Sequence, residues 1–119
     1  MHYRKLGRSG LKVSPICLGT MMFGGPTDED AAARIIDRAR AQGMNFIDTA
    51  DAYVDGRSEE VVGRAIRAER HWWVLATKIA NVTQPGPNGG GLSRRYAFQA
   101  VEASLRRLGT EVIDILYLH

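Results

Sequence analysis

Asn45-Phe46-Ile47-Asp48-Thr49-Ala50-Asp51-Ala52-Tyr53 is an apolar run that ends on an acid, with a phenol in the loop beyond it. The pattern recurs twice. Leu75-Ala76-Thr77-Lys78 stops on an amine, and Ile115-Leu116-Tyr117-Leu118-His119 stops on an imidazole. Apolar runs separated by helix-length segments are the strands of a parallel α/β sheet. All carboxyl ends of such strands face one rim, and chemistry collects there.

Working outward, residues 3–13 alternate weakly about Arg8-Ser9-Gly10 and form a hairpin. Pro15 introduces a first strand, Ile16 to Thr20. Thr27, followed by Asp28, Glu29 and Asp30, starts a helix with a side-chain cap and negative charge at its positive end. Ala32, Ile35, Ile36 and Ala39 share its inner face, and Gly43 stops it in a left-handed conformation. A strand from Met44 to Asp48 follows. Ser58-Glu59-Glu60 opens a second helix with Val62, Ala65 and Ile66 inward, and a strand from Trp72 to Lys78 comes next. Gln84 to Gly91, rich in proline and glycine, is loop. Ser93 caps a third helix that turns Ala97, Ala100, Val101, Ser104, Leu105 and Leu108 inward and stops at Gly109; the last strand is Val112 to His119. The expected fold is therefore α/β: a hairpin, then β-α-β-α-β-α-β with right-handed crossovers. It forms one domain over residues 1–119, its parallel sheet covered on both faces.

The formal net charge of +3 comes from arginines spread over helix faces (Arg34, Arg38, Arg64, Arg67, Arg106, Arg107) and mixed with acids. With no basic tract and no interleaved aromatics, nothing favours nucleic acid. No apolar stretch is long enough to span a membrane, and Arg4, Lys5 and Arg8 are followed by no signal-peptide core. Cys17 is the only cysteine, which fits a cytoplasmic protein; between Ile16 and Leu18 it is expected to be a buried, inert thiol. No Cys/His spacing suits a metal, and His2 and His71 have no partner pattern. Asp114 interrupts an apolar strand and reads as structural, while Trp72 and Trp73 read as packing at the opposite end of their strand.

Gly86-Pro87-Asn88-Gly89-Gly90-Gly91 matches neither G-x-G-x-x-G nor a P-loop and comes well after its strand ends, so it is a flexible loop rather than a phosphate cradle. Asp48, Tyr53, Lys78 and His119 are the candidates for chemistry. Singly, each has an ordinary explanation as a cap, a solvated amine or a chain-end residue; together they require convergence on one rim. The set suits carbonyl reduction. A free phenol has a pKa of about 10, and an adjacent ammonium favours its ionised form. Tyr53 is then a general acid, Lys78 its charged partner, Asp48 the anchor of Lys78, and His119 a hydrogen-bonding group for the substrate oxygen.

With these residues the chain resembles the aldo-keto reductases, a (β/α)8 barrel family that uses NAD(P)H. Asp48-Thr49-Ala50-Asp51-Ala52-Tyr53 with Gly56-Arg57-Ser58-Glu59-Glu60 resembles the segment bearing that family's aspartate and tyrosine, and Ala76-Thr77-Lys78 its lysine strand. Gly91-Leu92-Ser93-Arg94-Arg95, Glu102 to Gly109 and Ile113 to His119 resemble the run into its histidine. Leu6 to Ser14 resembles the hairpin that plugs the barrel, and Leu18-Gly19-Thr20-Met21 the turn beside the nicotinamide. The resemblance implies Tyr53 as proton donor, Lys78 paired with Asp48, and His119 orienting the carbonyl. It also implies a cofactor end at Gly19, Thr20, Met21 and Asp48. Met21, Met22, Phe23, Tyr53 and His119 would line the cleft for a small carbonyl substrate. NADPH is the expected hydride donor, with NADH left open.

A complete barrel of this type takes roughly 200 to over 400 residues. The chain reads as its N-terminal half, truncated after strand four. Its edge strands and helix faces are expected to need the C-terminal half or a complementary chain. The competing reading is an inactive half-barrel or a binding or regulatory module, a use to which potassium-channel beta subunits put this family.

Overall fold

The computed structural model describes residues 1–119. A two-stranded antiparallel hairpin, β1 (Arg4–Lys5) and β2 (Lys12–Val13), precedes a four-stranded sheet made of β3 (Leu18–Gly19), β4 (Phe46–Asp48), β5 (Val74–Ile79) and β6 (Ile115–Leu118). The sheet is parallel throughout, and its spatial order is its chain order. Helices α1 (Glu29–Ala41), α2 (Arg57–Ile66) and α3 (Arg94–Leu108) make the crossovers, with 3-10 turns at Tyr53–Gly56 and Arg67–Trp72.

Strand order without reversal has a consequence for burial. Right-handed crossovers that always step in the same direction lay every helix on the same face of the sheet. Ile47 and Leu75 pack there with Ala32, Ile36, Val61, Val62, Ile66 and Leu108, and Ile79 packs with Tyr96 and Ala100. The other face, bearing Gly19, Phe46, Asp48, Lys78 and Tyr117, has no helix. The expectation of a sheet covered on both faces is thus corrected. On edge strand β6, Tyr117 is exposed on that helix-free face, while Leu116 and Leu118, in register with Thr77 and Ile79, are exposed on the helix side.

Local signals place most boundaries within a few residues. Ser93 Oγ accepts from the Tyr96 N–H, and Gly43 and Gly109 stop their helices with positive φ. Three expectations shift. The α1 cap is Asp28, whose Oδ1 accepts from the Ala31 N–H, rather than Thr27. Ile35 is exposed and leaves the inner face to Ala32, Ile36 and Ala39. Helix α2 starts from Gly56 (φ 90°), so Ser58 lies inside its first turn instead of opening it.

Trp72 and Trp73 precede β5 rather than belong to it. Trp73 is buried, while Trp72 donates to the Met44 carbonyl (2.8 Å) beneath the Arg40 guanidinium, 3.8 Å from the ring centre. Asp114 lies just before β6 rather than inside it, and its partners are Arg70 at 2.7 Å and the Leu75 N–H at 2.9 Å. Cys17 is exposed rather than buried. Desolvation against the sheet, then the charge of Asp48, nevertheless push its thiol up to about 11, so it stays protonated near neutrality. No helix is long and apolar enough to cross a membrane.

The contact between α2 and α3 depends on one small residue. A Cβ on Gly63 would stand 2.1 Å from the Leu108 carbonyl oxygen, a backbone atom that cannot move without its helix. Gly63→Ala is expected to destabilise the fold by about 1–3 kcal/mol through overpacking, read as a lower denaturant midpoint at unchanged slope. An unchanged midpoint would show that the helices separate freely.

Candidate active site

Register brings the first two candidates together. Asp48 pairs with Ala76 across the β4–β5 ladder, so Lys78 lies one pleat further along on the same face. Its ammonium donates to Asp48 Oδ2 at 2.6 Å, to the Thr49 carbonyl at 2.9 Å and to Tyr53 Oη at 3.0 Å. Three donors meet three acceptors, and none is left over. Burial alone would lower the Lys78 pKa, but the hydrogen bonds to Asp48 and Tyr53 and the charge of Asp48 outweigh it, and the net direction is upward. The amine is thereby held as a cation against the phenol.

Tyr53 reaches Lys78 because the chain leaves β4 through a tight turn. Its N–H donates to the Ala50 carbonyl, and the next two residues, Val54 and Asp55, take left-handed φ of 50° and 53°. His119 follows β6 and donates its backbone N–H to Ile79 O at 2.9 Å. Its ring stands edge-on to Tyr53, with centroids 6.0 Å apart and planes at 90°. Asp48, Tyr53 and Lys78 are thus in direct contact, and His119 is a ring's width away.

Beside them is a cavity of about 370 Å³ lined by Gly19, Thr20, Met21, Met22, Phe23, Thr27, Asp48 and Tyr53. Met21 and Met22 are exposed there. Phe23 belongs mainly to the core. The Thr20 hydroxyl is already committed to the Asp48 carbonyl at 2.9 Å. His119 is not among the lining residues. A second cavity of about 350 Å³ opens on the helix-free face between Cys17, Gly19, Phe46, Asp48, Lys78 and Tyr117.

Two buried residues that sequence reasoning left without a site role hold this geometry from below. Ser58 Oγ donates to the Thr20 carbonyl at 2.9 Å and lies 2.9 Å from Thr49 Oγ1, tying β3, the end of β4 and α2 together. Glu59 accepts from Thr77 Oγ1 and from Arg107 Nε, both at 2.6 Å. It thereby clamps the residue before Lys78 to α3. Both side chains are fully buried. Adjacent polar residues opening a helix look like caps in sequence, and only the long-range partners reveal the difference.

Comparison with known proteins agrees in fold and in family. The model of the aldo/keto reductase family matches residues 15–119. The chain is 44% identical to a probable voltage-gated potassium channel subunit beta of Arabidopsis thaliana, aligning over its whole length with 37% of that protein. It is 45% identical to the uncharacterized oxidoreductase YqkF of Bacillus subtilis, again over its whole length and 39% of the relative. The structure of aldo-keto reductase AKR11C1 from Bacillus halodurans, in its holo form, superposes with a TM-score of 0.90 at 43% identity, covering all of this chain and 40% of that one. The chain therefore spans about two fifths of the length of these relatives.

Asp51, within the decisive stretch, is a buried acid with no side-chain partner. It is 3% exposed, and neither carboxylate oxygen has a hydrogen bond. Desolvation first, then the charge of Glu59, raise its pKa; Arg107 offsets them only in part. A carboxyl whose pKa is raised by folding binds more protons in the native state, so its ionisation costs stability as pH rises. Asp51→Asn is therefore expected to melt above the wild type at neutral pH. The gap should close as pH falls towards the ordinary value of 3.8. Thermal melts across that range check the sign, and a variant that melts below the wild type at pH 7 contradicts it.

Proposed function

The chain belongs to the aldo/keto reductase family, and from that premise we propose that it supplies the catalytic rim of an NAD(P)H-dependent reductase of aldehydes and ketones. The observation that carries the reading is the single ammonium of Lys78, which holds a carboxylate and a phenol at hydrogen-bonding distance. Tyr53 is the proton donor: its Oη–H passes to the carbonyl oxygen as that oxygen gains charge. Lys78 stabilises the phenolate left behind, in a setting where few waters compete. Asp48 fixes the ammonium and keeps it charged. His119 hydrogen-bonds the carbonyl oxygen and orients it towards Tyr53.

The residues present fit one end of a nicotinamide dinucleotide. Asp48 Oδ1 is buried with no partner, beside the 370 Å³ cavity, and would accept from a ribose hydroxyl. Gly19, Thr20 and Met21 would form the backbone wall next to it. When bound there, the cofactor supplies the hydride. NADPH is the proposed donor, and NADH belongs in the same assay as the comparison. Phosphates and adenine would be held by further β/α units. The exposed Leu116, Tyr117 and Leu118 along the free edge of β6 support such a continuation, which would pair with that edge and cover it. We place the activity in the cytoplasm, where the free Cys17 thiol stays reduced.

The test uses the complete polypeptide, a panel of aldehydes and ketones, and the absorbance of NADPH. Tyr53→Phe should lower turnover by about 10²–10⁴-fold, the usual worth of a positioned general acid. Stability should fall by no more than about 1–3 kcal/mol, the cost of one Lys78 proton left unpaired, because Lys78 keeps Asp48 and the Thr49 carbonyl. Turnover that survives the loss of the phenol would sink the assignment. A complete polypeptide that binds NADPH but reduces none of the carbonyls would instead favour a regulatory role.

A further inference from the structure

We propose that Asn81 is a positioning residue that fixes the imidazole proton of His119 on Nε2. The inference rests on the reading of His119 as the group that orients the carbonyl. Asn81 Nδ2 lies 3.3 Å from His119 Nδ1. An amide nitrogen has only N–H bonds to offer, so Nδ1 must accept. A neutral imidazole carries one proton, which is then on Nε2. That nitrogen becomes a donor, as a carbonyl oxygen requires; the opposite tautomer would present a lone pair to a lone pair.

Nothing else in contact with His119 makes this choice. Its backbone N–H holds the chain to Ile79, and its edge-on contact with Tyr53 leaves both tautomers equal. Asn81, by contrast, is delivered by a backbone that is clamped on both sides. Ala80 takes φ 125°, a conformation that costs an L-residue on the order of 1–3 kcal/mol and persists only where the surroundings enforce it. Its carbonyl accepts from the Gly91 N–H at 2.6 Å. The Asn81 carbonyl accepts from the hydroxyl of buried Tyr96 at 3.0 Å, and that hydroxyl also meets Thr83 Oγ1 at 2.7 Å. The strained residue turns the chain off the line of β5, and the two clamps hold Asn81 across the end of β6. The long glycine-rich loop, empty of chemistry in itself, closes this bracket through Gly91.

An Asn81 amide rotated by half a turn would place Oδ1 on Nδ1 and select the other tautomer, so the tautomer is the readout. It is measured from the imidazole 15N shifts of the complete polypeptide, at a pH where imidazoles are neutral. His119 is assigned by the signals that vanish in His119→Gln. The wild type should show the Nε2–H form. Asn81→Asp, which can only accept at that position, should move the proton to Nδ1, and Asn81→Ala should give a mixture. Turnover of Asn81→Asp should fall about tenfold, the worth of one hydrogen bond. A wild-type imidazole protonated on Nδ1 overturns the proposal even if neither variant folds, as does a tautomer unchanged in both variants. A switched tautomer with full turnover supports the role of Asn81 and overturns instead the role of His119 in orienting the carbonyl.

Discussion

The ammonium of Lys78 is the constraint around which the rim is built. Its side chain is 14% exposed, and that of Asp48 is 23% exposed. A charge that far out of water must have its protons satisfied and an opposite charge nearby, or folding would neutralise it. The three acceptors come from a strand end, a backbone carbonyl and a loop residue, so the cation can be satisfied only if the β4–β5 register and the β4–α2 turn are both correct. A slip of one residue in β5 would turn Lys78 into the helix layer and bring Thr77 to the rim. The structural need of this cation and the geometry of the candidate site are therefore the same.

Helix α2 begins where that geometry requires support. Ser58 and Glu59, side by side in its first turn, each reach a different strand end. One secures Thr20 and Thr49, and the other secures Thr77. Glu59 is a buried carboxylate whose cation, Arg107, is drawn from α3, and Arg107 also packs against Gly56 at the start of α2. A buried ion pair of this kind is weak evidence for net stability. What it does geometrically is tie α2, α3 and the strand that carries Lys78 to one another.

Much of this was legible in the sequence, and the parts that were not share a cause. Apolar runs, the Ser93 cap and the stops at Gly43 and Gly109 are local signals, and the structure places elements where they indicate. The convergence of Asp48 and Lys78 was legible from their strand-end positions, and Tyr53 entered as the phenol in the loop just beyond. Partners distant in sequence were invisible: Arg70 for Asp114 is 44 positions away, and Arg107 for Glu59 is 48. Ser58 misled because a hydroxyl at a helix start looks the same whether it caps its own helix or bridges two strands. The one-sided helix layer was missed because continuous apolar strands say that both faces avoid water, without saying what covers each. Cys17 was misjudged for the same reason, since it sits on the face that no helix covers.

Strain points to the same rim. Val54, Asp55 and Ala80 are the three non-glycine residues with positive φ, and they follow the strands that bear Asp48 and Lys78. Residues in such conformations are held by their neighbours rather than by preference. After β4 the strained pair directly follows Tyr53 and turns the chain into α2, and after β5 Ala80 turns Asn81 towards the end of β6. A relaxed chain after β5 would carry Asn81 outward along the strand direction. The layer beneath, with the Glu59 and Ser58 ties, supports both turns: one holds the Tyr53 phenol on the Lys78 ammonium and the other holds the Asn81 amide beside His119. The phenol is thus placed by the turn between β4 and α2, and the imidazole by the end of β6, where the His119 N–H bonds Ile79 O.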